Sequence, residues 1–196
     1  DFETFAPAIP RYKDTRPYQT IPFQWSDHVL QEDGTLEHHE WLCDSDRDPR
    51  REFARSLIDM LGKSGSIVSY SHYEKTRLNK LIEVLPHLAA DLQAIVDRLW
   101  DLLPVVRNHI CHPQLYSSFS LKCVLPALVP DMSYDGLAIQ EGTAASVAYA
   151  EMIDAATRPE RKAGIRGQLL DYCSLDTMAM VKLHQRCLEL GSMPLG

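Results

Sequence analysis

The sequence predicts an α/β protein in which a central mixed β-sheet of about five strands is flanked by α-helices. Asp33-Gly34 separates two strand-like runs, 21–30 and 36–42, and is the strongest hairpin signal in the chain. A short apolar run at 66–70 lies between two helical patterns and predicts a buried strand. Near the C-terminus, over 168–183, apolar residues recur at spacings of three and four, which predicts an amphipathic helix.

Composition indicates one soluble domain. A length of 196 residues is enough for a domain with its own core, so we predict a single domain over 1–196. No apolar run approaches the roughly 18 residues that a membrane-spanning helix needs. Five cysteines without a C-x-x-C pair favour buried, reduced thiols and a cytoplasmic location. The chain begins at Asp1 without an initiator methionine, and we expect a domain excised from a longer protein whose other domains are its partners.

The formal net charge of −7 limits the ways in which this protein can bind nucleic acid. Bulk electrostatics would repel a polyanion at long range. A metal-dependent nuclease remains open, because bound divalent cations reverse the local charge of a carboxylate-rich site.

The first residues predict a strand that carries carboxylates. Alternation places Asp1, Glu3 and Phe5 on one face, with the Cα atoms of the two acidic residues about 7 Å apart. A solvated chain terminus would explain the same residues. Residues 6–20 contain three prolines and predict a loop.

Two helices are predicted around the strand at 66–70. The first covers 50–62 and ends at a glycine. The second begins near Tyr73, and Glu74 lies in line with its apolar face. Two explanations compete for Glu74. With Ser71 three positions earlier it matches a capping box, in which the glutamate bonds the N-cap amide, whereas an interior-facing carboxylate would serve a metal ion.

The middle of the chain predicts shorter elements. A helix continues over 88–99, and 101–107 forms a strand or a turn. Residues 120–129 predict a short helix that Pro126 breaks or kinks. Residues 143–156 predict a close-packed helix of small residues.

The last helix carries the most informative residues. Asp176 lies on its apolar stripe and Tyr172 is one turn earlier, so the phenol can lie beside the carboxylate. A carboxylate buried without a partner costs several kcal/mol or stays protonated. Asp176 therefore needs a cation, a metal ion or hydrogen bonds. Four basic residues at 158–166 directly precede this helix and predict either a solvated face or a phosphate contact.

Three acidic motifs in this order resemble those of the DEDD superfamily of 3′-to-5′ exonucleases, whose fold is ribonuclease H-like. They are Asp1-x-Glu3 on a strand, Tyr73-Glu74 where a helix follows a strand, and Tyr172-x-x-x-Asp176 on a late helix. The tyrosine of the third motif is similar to that of the DEDDy branch. The middle motif differs, since the superfamily usually has an asparagine and an aromatic-Asp pair where this chain has Ser71 and Glu74.

The resemblance extends over nearly the whole chain, which looks like an uncharacterised bacterial family assigned to that superfamily. Residues 120–122, Ser-Leu-Lys, are similar to a short segment found between the second and third motifs. The resemblance implies a ribonuclease H-like fold.

A two-metal hydrolysis of phosphodiester bonds is the chemistry that the resemblance implies. Asp1, Glu3 and Asp176 would hold two Mg²⁺ or Mn²⁺ ions, and Glu74 would complete the cluster directly or through water. Tyr172 would position the attacking water, because a phenol with a pKa of about 10 is a poor base at neutral pH.

The substrate implied is the 3′ end of a single nucleic-acid strand that enters over the first β-strand. Phe5 or Tyr73 could stack on the terminal base. Arg161 and Arg166, from the basic run before the last helix, would contact phosphates.

Three functions stay open at this point. The first is an active exonuclease on DNA or RNA, and no residue pattern distinguishes the two polymers. The second is a nuclease-like module that binds nucleic acid or a neighbouring domain without cleaving, which Glu74 and the negative net charge favour. The third is a phosphohydrolase that acts on nucleotides with the same carboxylates. A zinc site at 109–112, with two histidines and a cysteine but no second pair of ligands, is a weaker interpretation.

Overall fold

A computed structural model describes residues 1–115 and 118–192, and within them the chain is mixed α/β, as predicted. The strands are β1 (Phe2–Phe5), β2 (Ile21–Leu30), β3 (Leu36–Leu42), β4 (Ile67–Ser69) and β5 (Leu99–Asp101). The helices are α1 (Arg50–Leu61), α2 (Tyr73–Val84), α3 (Ala89–Val96), α4 (Leu103–His109), α5 (Leu121–Leu128), α6 (Gly142–Met152) and α7 (Pro159–Ser192).

The strands form two sheets instead of the single mixed sheet that we predicted. Strands β1, β2 and β3 pair antiparallel in that order, and the β2–β3 hairpin turns at Asp33-Gly34 as expected. Gly34 takes a φ of 86°, a left-handed conformation that glycine adopts at little cost. Strands β4 and β5 form a separate parallel pair. The antiparallel and parallel parts of the fold are therefore both present, but no strand of the described residues connects them.

The segment 101–107, predicted as a strand or a turn, is mostly helical. Strand β5 ends at Asp101, whose carboxylate accepts a hydrogen bond from the amide of Leu103 at 2.9 Å. Helix α4 begins at that leucine with Pro104 in its first turn, where proline lacks only an amide that has no helical partner. A local hydrogen bond from backbone to side chain thus accompanies the end of the strand, earlier than the apolar pattern indicates.

Strand β1 separates two hydrophobic clusters because its side chains alternate between faces. Phe2 packs edge-on against Phe53 of α1, with ring centroids 5.0 Å apart. Phe5 points to the other side and packs against Phe23 and Tyr149. This arrangement sends Glu3, which shares a face with Phe5, toward α6 and α7.

Helix α7 is longer than predicted and includes the basic run at 158–166 almost entirely. Polar contacts, among them the following two, fix its buried face to β2. Gln24 Nε2 donates to the Leu169 carbonyl at 2.8 Å, and the hydroxyls of Ser26 and Thr177 lie 3.0 Å apart. Because these contacts lie on either side of Asp176 along the helix, they hold that carboxylate against the sheet.

Two smaller expectations need correction. Helix α5 continues through Pro126 to Leu128 without a break. The five cysteines are free thiols, as expected, but they are not uniformly buried, since Cys111 is exposed. Among the described residues no helix combines the length and apolar character needed to cross a bilayer.

Candidate active site

Three carboxylates from separate elements are buried at one place in the fold. Glu3 on β1, Glu74 at the start of α2 and Asp176 in the middle of α7 are each less than a tenth exposed. Burial, together with the negative charges of Asp176 and Glu74, raises the pKa of Glu3 to about 8. The charges of the three carboxyl groups therefore influence one another.

A hydrogen bond between side chains brings the first and second motifs together. The hydroxyls of Thr4 and Tyr73 lie 2.6 Å apart, and each residue is the immediate neighbour of an acidic one. The end of β1 is thereby tied to the first turn of α2. On the other side of Tyr73, the guanidinium of Arg77 lies 5.1 Å from the centre of its ring.

Glu74 is not part of a capping box. His72 is the N-cap of α2, and no side chain makes a capping hydrogen bond there. The Glu74 Oε2 atom is buried without a hydrogen-bond partner among the described residues. Burial raises the pKa of this carboxyl, because an ionised oxygen out of water without a partner is unfavourable. This carboxylate therefore requires a proton or a cation.

Asp176 is surrounded by phenols. Its Oδ1 accepts a hydrogen bond from the Tyr134 hydroxyl, and the Tyr172 phenol, one turn earlier on α7, lowers the pKa of the same carboxyl. Burial, reinforced by the charge of Asp176, raises the pKa of both phenols, so both remain protonated donors at neutral pH. Tyr172 and Asp176 therefore influence each other's pKa, as expected of neighbours one helical turn apart, and Tyr134 supplies a second phenol at the same carboxylate.

Lys122 is the side-chain cation of this cluster. Its Nζ donates to the Tyr172 hydroxyl at 3.2 Å and to the Gln140 carbonyl. The ammonium lies 5.1 Å and 5.2 Å from the ring centres of Tyr172 and Tyr134. Burial is the largest influence on the raised pKa of Glu3 and Asp176, and the positive charge of Lys122 opposes it at both carboxyls.

Asp1 lies at the margin of the cluster, beside Glu3. One possible ligand atom from each of Asp1, Glu3 and Cys173 lies within 4.8 Å of the other two. The Asp1 Oδ2 is 3.5 Å from the Cys173 Sγ, and burial raises the pKa of that thiol well above its usual value. Among the described residues, those at 109–112 do not form a comparable cluster of possible ligand atoms. The zinc interpretation therefore gains no support.

The four residues predicted to contact substrate lie in different environments. Phe5 is 4% exposed and enclosed by core aromatic rings, so the expectation that it stacks on a base is wrong for this structure. Tyr73 is partly buried beside the carboxylates. Arg161 forms an ion pair of 2.7 Å with Glu151 at the C-terminal end of α6. At 1.5 Å per residue, Arg161 and the exposed Arg166 precede Asp176 by about 22 Å and 15 Å along α7, and their phosphate contacts stay predictions.

The N-terminus of α6 lies against the cluster from a further side. A Cβ atom at Gly142 would be 3.8 Å from the Glu3 Oε2. Glu151, the ion-pair partner of Arg161, lies at the opposite end of the same helix, so Arg161 is distant from Glu3. The cluster is enclosed by β1, α2, α5, α6 and α7.

The fold and the cluster define the chain as an α/β domain with a buried carboxylate site. Residues 1–120 match the family described as Domain of unknown function (DUF2779), and the chain belongs to this family. No curated protein and no solved structure matches the chain. The matched region contains Asp1, Glu3 and Glu74, whereas Tyr172 and Asp176 lie beyond it.

Proposed function

We propose that this domain is a metal-dependent 3′-to-5′ exonuclease of ribonuclease H-like fold that hydrolyses phosphodiester bonds of DNA or RNA. The observation that carries the proposal is the burial of Glu3, Glu74 and Asp176, with one oxygen of Glu74 lacking a hydrogen-bond partner in the part of the chain that the structure describes. Three carboxylates withdrawn from water destabilise a fold unless protons or cations neutralise them. Divalent cations bound at this site would supply that neutralisation.

The donor set fits Mg²⁺ or Mn²⁺. Hard divalent cations prefer carboxylate oxygens, and Asp1, Glu3 and Asp176 offer them, with Glu74 as a fourth. Cys173 is fully buried and its pKa is raised, so it stays a thiol and is a poor ligand for these ions. When bound, two such ions neutralise charge on the phosphate and acidify a water molecule.

Two side chains beside the carboxylates, Tyr172 and Lys122, would orient the substrate and balance its negative charge. Tyr172 lies between the Lys122 ammonium and the Asp176 carboxylate, which fixes its hydroxyl as a donor. Because the pKa of this phenol is raised, Tyr172 orients a water molecule or a phosphate oxygen and does not remove a proton. Lys122 places a positive charge where a phosphate would approach the carboxylates.

The order of the elements also supports the proposal. An antiparallel β1–β2–β3 meander, then alternating helices and a parallel β4–β5 pair, is compatible with the sheet expected for a ribonuclease H-like domain. The net charge of −7 favours recognition of a strand end at a metal-loaded site over binding along a duplex. The cytoplasmic location is part of the same proposal.

Lys122→Met is expected to separate catalysis from metal binding. Loss of a charged hydrogen bond to Tyr172 should lower the cleavage rate about 10-fold to 100-fold. Removal of a positive charge beside Glu3 and Asp176 should at the same time tighten divalent-ion binding by a few-fold. Cleavage rates and calorimetric titration with Mn²⁺ measure the two effects separately.

Lys182→Met is the matched control, since this lysine is exposed on α7. It should change neither quantity. If Lys122→Met weakened metal binding and cleavage in parallel, Lys122 would be a structural support of the ligands and not a contact to substrate.

The proposal is tested by incubating the purified domain with 5′-labelled single strands of DNA and RNA in Mg²⁺ or Mn²⁺. Stepwise shortening that a chelator abolishes is the expected result. Mononucleotide esters are tested in parallel, because cleavage of these alone would assign the site to a nucleotide phosphohydrolase. Metal binding by calorimetry without cleavage of any substrate would favour the non-cleaving module.

A further inference from the structure

The turn that joins β4 to α2 contains a strained residue. Strand β4 ends at Ser69 and α2 begins at Tyr73, and between them Ser71 has a φ of 85°. This left-handed region is unfavourable for a residue with a side chain, so such a residue stays there only where surrounding contacts hold it. Glu74 follows three positions later, in the first turn of α2. The conformation of Ser71 therefore sets the direction in which α2 leaves β4 and, with it, the position of Glu74.

Asp101 holds Ser71 in this conformation. It is the last residue of β5 and pairs with Ser69 at the end of β4. Its Oδ1 accepts hydrogen bonds from the Ser71 amide at 2.8 Å and from the Leu103 amide at 2.9 Å. Hydrogen bonds to an ionised carboxylate are about twice as strong as those between neutral groups. One oxygen atom thus joins the turn before α2 to the start of α4.

Two further hydrogen bonds of Ser71 are longer and more local. Its hydroxyl accepts from the Tyr73 amide at 3.3 Å, and its carbonyl accepts from the Ser69 hydroxyl at 3.4 Å. Both bonds join residues two positions apart in the chain, whereas Asp101 reaches the turn from a neighbouring strand. Loss of the Asp101 carboxylate would therefore allow Ser71 to leave the left-handed region.

We propose that Asp101 is a positioning residue of the carboxylate site, which directs Glu74 into the buried cluster by holding Ser71 in its left-handed conformation. This role rests on the proposed function, because the cluster is where Glu74 would bind divalent cations. Burial is the largest cause of the raised pKa of Glu74, and the negative charge of Asp101 adds to it. Asp101 therefore lies close to the carboxylate that it positions.

Positioning and direct ligation make different demands on Asp101. A ligand of Mg²⁺ or Mn²⁺ needs a charged carboxylate, whereas the bond to Ser71 needs an oxygen atom that accepts from an amide. Asp101→Asn keeps that oxygen and removes the charge, and Asp101→Ala removes both. Ser71→Gly removes the strain, because glycine adopts a φ of 85° at little cost.

Calorimetric titration with Mn²⁺ measures the effect of these substitutions on the site. Asp101→Ala should weaken binding by at least about tenfold, as loss of a group that orients a metal ligand does. Asp101→Asn should stay within about threefold of the wild type, since it keeps the hydrogen bond. Asp101→Ala combined with Ser71→Gly should regain most of the lost affinity, although the double variant also lacks the bond to Leu103.

Asp97→Ala is the matched control. This exposed aspartate accepts a hydrogen bond from the Gln93 side chain, away from the turn before α2. The substitution removes a carboxylate acceptor of the same kind and should leave the affinity for Mn²⁺ unchanged.

Amide hydrogen exchange in a chelator tests the hydrogen bond itself, without metal or cleavage. Exchange of the Ser71 amide should be at least about tenfold faster in Asp101→Ala than in the wild type. The Leu85 amide, which bonds the Leu81 carbonyl at the C-terminal end of α2, should change little. Its protection would show that the helix remains folded in the variant.

Equal affinity for Mn²⁺ in Asp101→Ala and the wild type would overturn the positioning role and leave the exonuclease proposal standing. Weak binding in Asp101→Asn, without recovery in the double variant, would also overturn it, since Asp101 would then be a ligand. A wild-type domain that binds neither Mn²⁺ nor Mg²⁺ would instead contradict the proposed function, and the positioning role would fail with it.

Discussion

Asp176→Asn is expected to reduce metal-dependent cleavage by at least about 1000-fold while the fold stays intact. Asparagine keeps the shape and the oxygen that accepts the Tyr134 hydrogen bond, but it removes the charge that would hold a divalent cation. Loss of a charge-stabilising group in an active site typically lowers the rate by two to three orders of magnitude, and an ion ligand adds to that loss.

The same variant should not be destabilised in the absence of metal. Burial raises the pKa of Asp176, so its ionised form opposes folding at neutral pH, and a neutral amide of equal size removes that penalty. Thermal unfolding in a chelator should show an unchanged or higher melting temperature. Calorimetry should show weaker binding of Mn²⁺.

Asp171→Asn is the matched control, because Asp171 is exposed on the same helix. It should retain wild-type cleavage and metal binding. Most of the activity surviving in Asp176→Asn would remove the exonuclease proposal. Activity lost together with the melting transition would indicate a structural role for Asp176 instead.

The parts of the fold that the sequence predicts well are those with strong local patterns. The Asp33-Gly34 turn determines a hairpin through backbone conformation alone. The stripe that contains Tyr172 and Asp176 determines both a helix and its buried face. Spacing then places the phenol beside the carboxylate without any long-range information.

Residues that depend on distant contacts were predicted poorly. Tyr134 reaches Asp176 from a loop that has no periodic pattern, so no local signal identifies it. Lys122 had a signal in the Ser-Leu-Lys resemblance, but its position beside Tyr172 depends on how α5 packs against α7. Glu74 fits two local interpretations, a capping box and an interior-facing carboxylate, and only its packing, with His72 at the N-cap position, shows that the capping box does not form.

Phe5 illustrates a second limit of prediction from sequence, which concerns the exposure of a strand face. Alternation correctly places it on the same face as Glu3, but periodicity does not reveal whether that face is open or closed. Tyr149 of α6 covers the ring at a centroid distance of 4.9 Å. The face of β1 that carries the Glu3 carboxylate is therefore closed by core side chains two residues later.

The metal-free protein is expected to become more stable as the pH falls from about 8 to about 6.5. Glu3 has a pKa of about 8 in the folded chain, against an ordinary value of 4.5, so the folded state binds a proton that the unfolded state lacks throughout this window. One such proton changes the free energy of unfolding by up to about 1.4 kcal/mol per pH unit. The raised pKa values of Glu74 and Asp176 act in the same direction.

The lower limit of the window comes from His28. Burial lowers its pKa from 6.5 to about 4. Below pH 6.5 the unfolded state therefore binds a proton at His28 that the folded state does not bind, which opposes the stabilisation that comes from protonation of Glu3. Thermal unfolding in a chelator should therefore give a melting temperature that rises by several degrees between pH 8 and 6.5 and then levels off.

Glu3→Gln should flatten this pH dependence, since the variant has no carboxyl to titrate at that position. Saturating Mg²⁺ or Mn²⁺ should reverse it, because the ions bind ionised carboxylates and protons compete with them. A wild-type melting temperature that falls steadily from pH 8 to 6.5 in the chelator would show that the cluster is already neutralised by groups of the protein. In that case Lys122 would suffice as the counter-charge, and the argument that the cluster requires metal ions would fail.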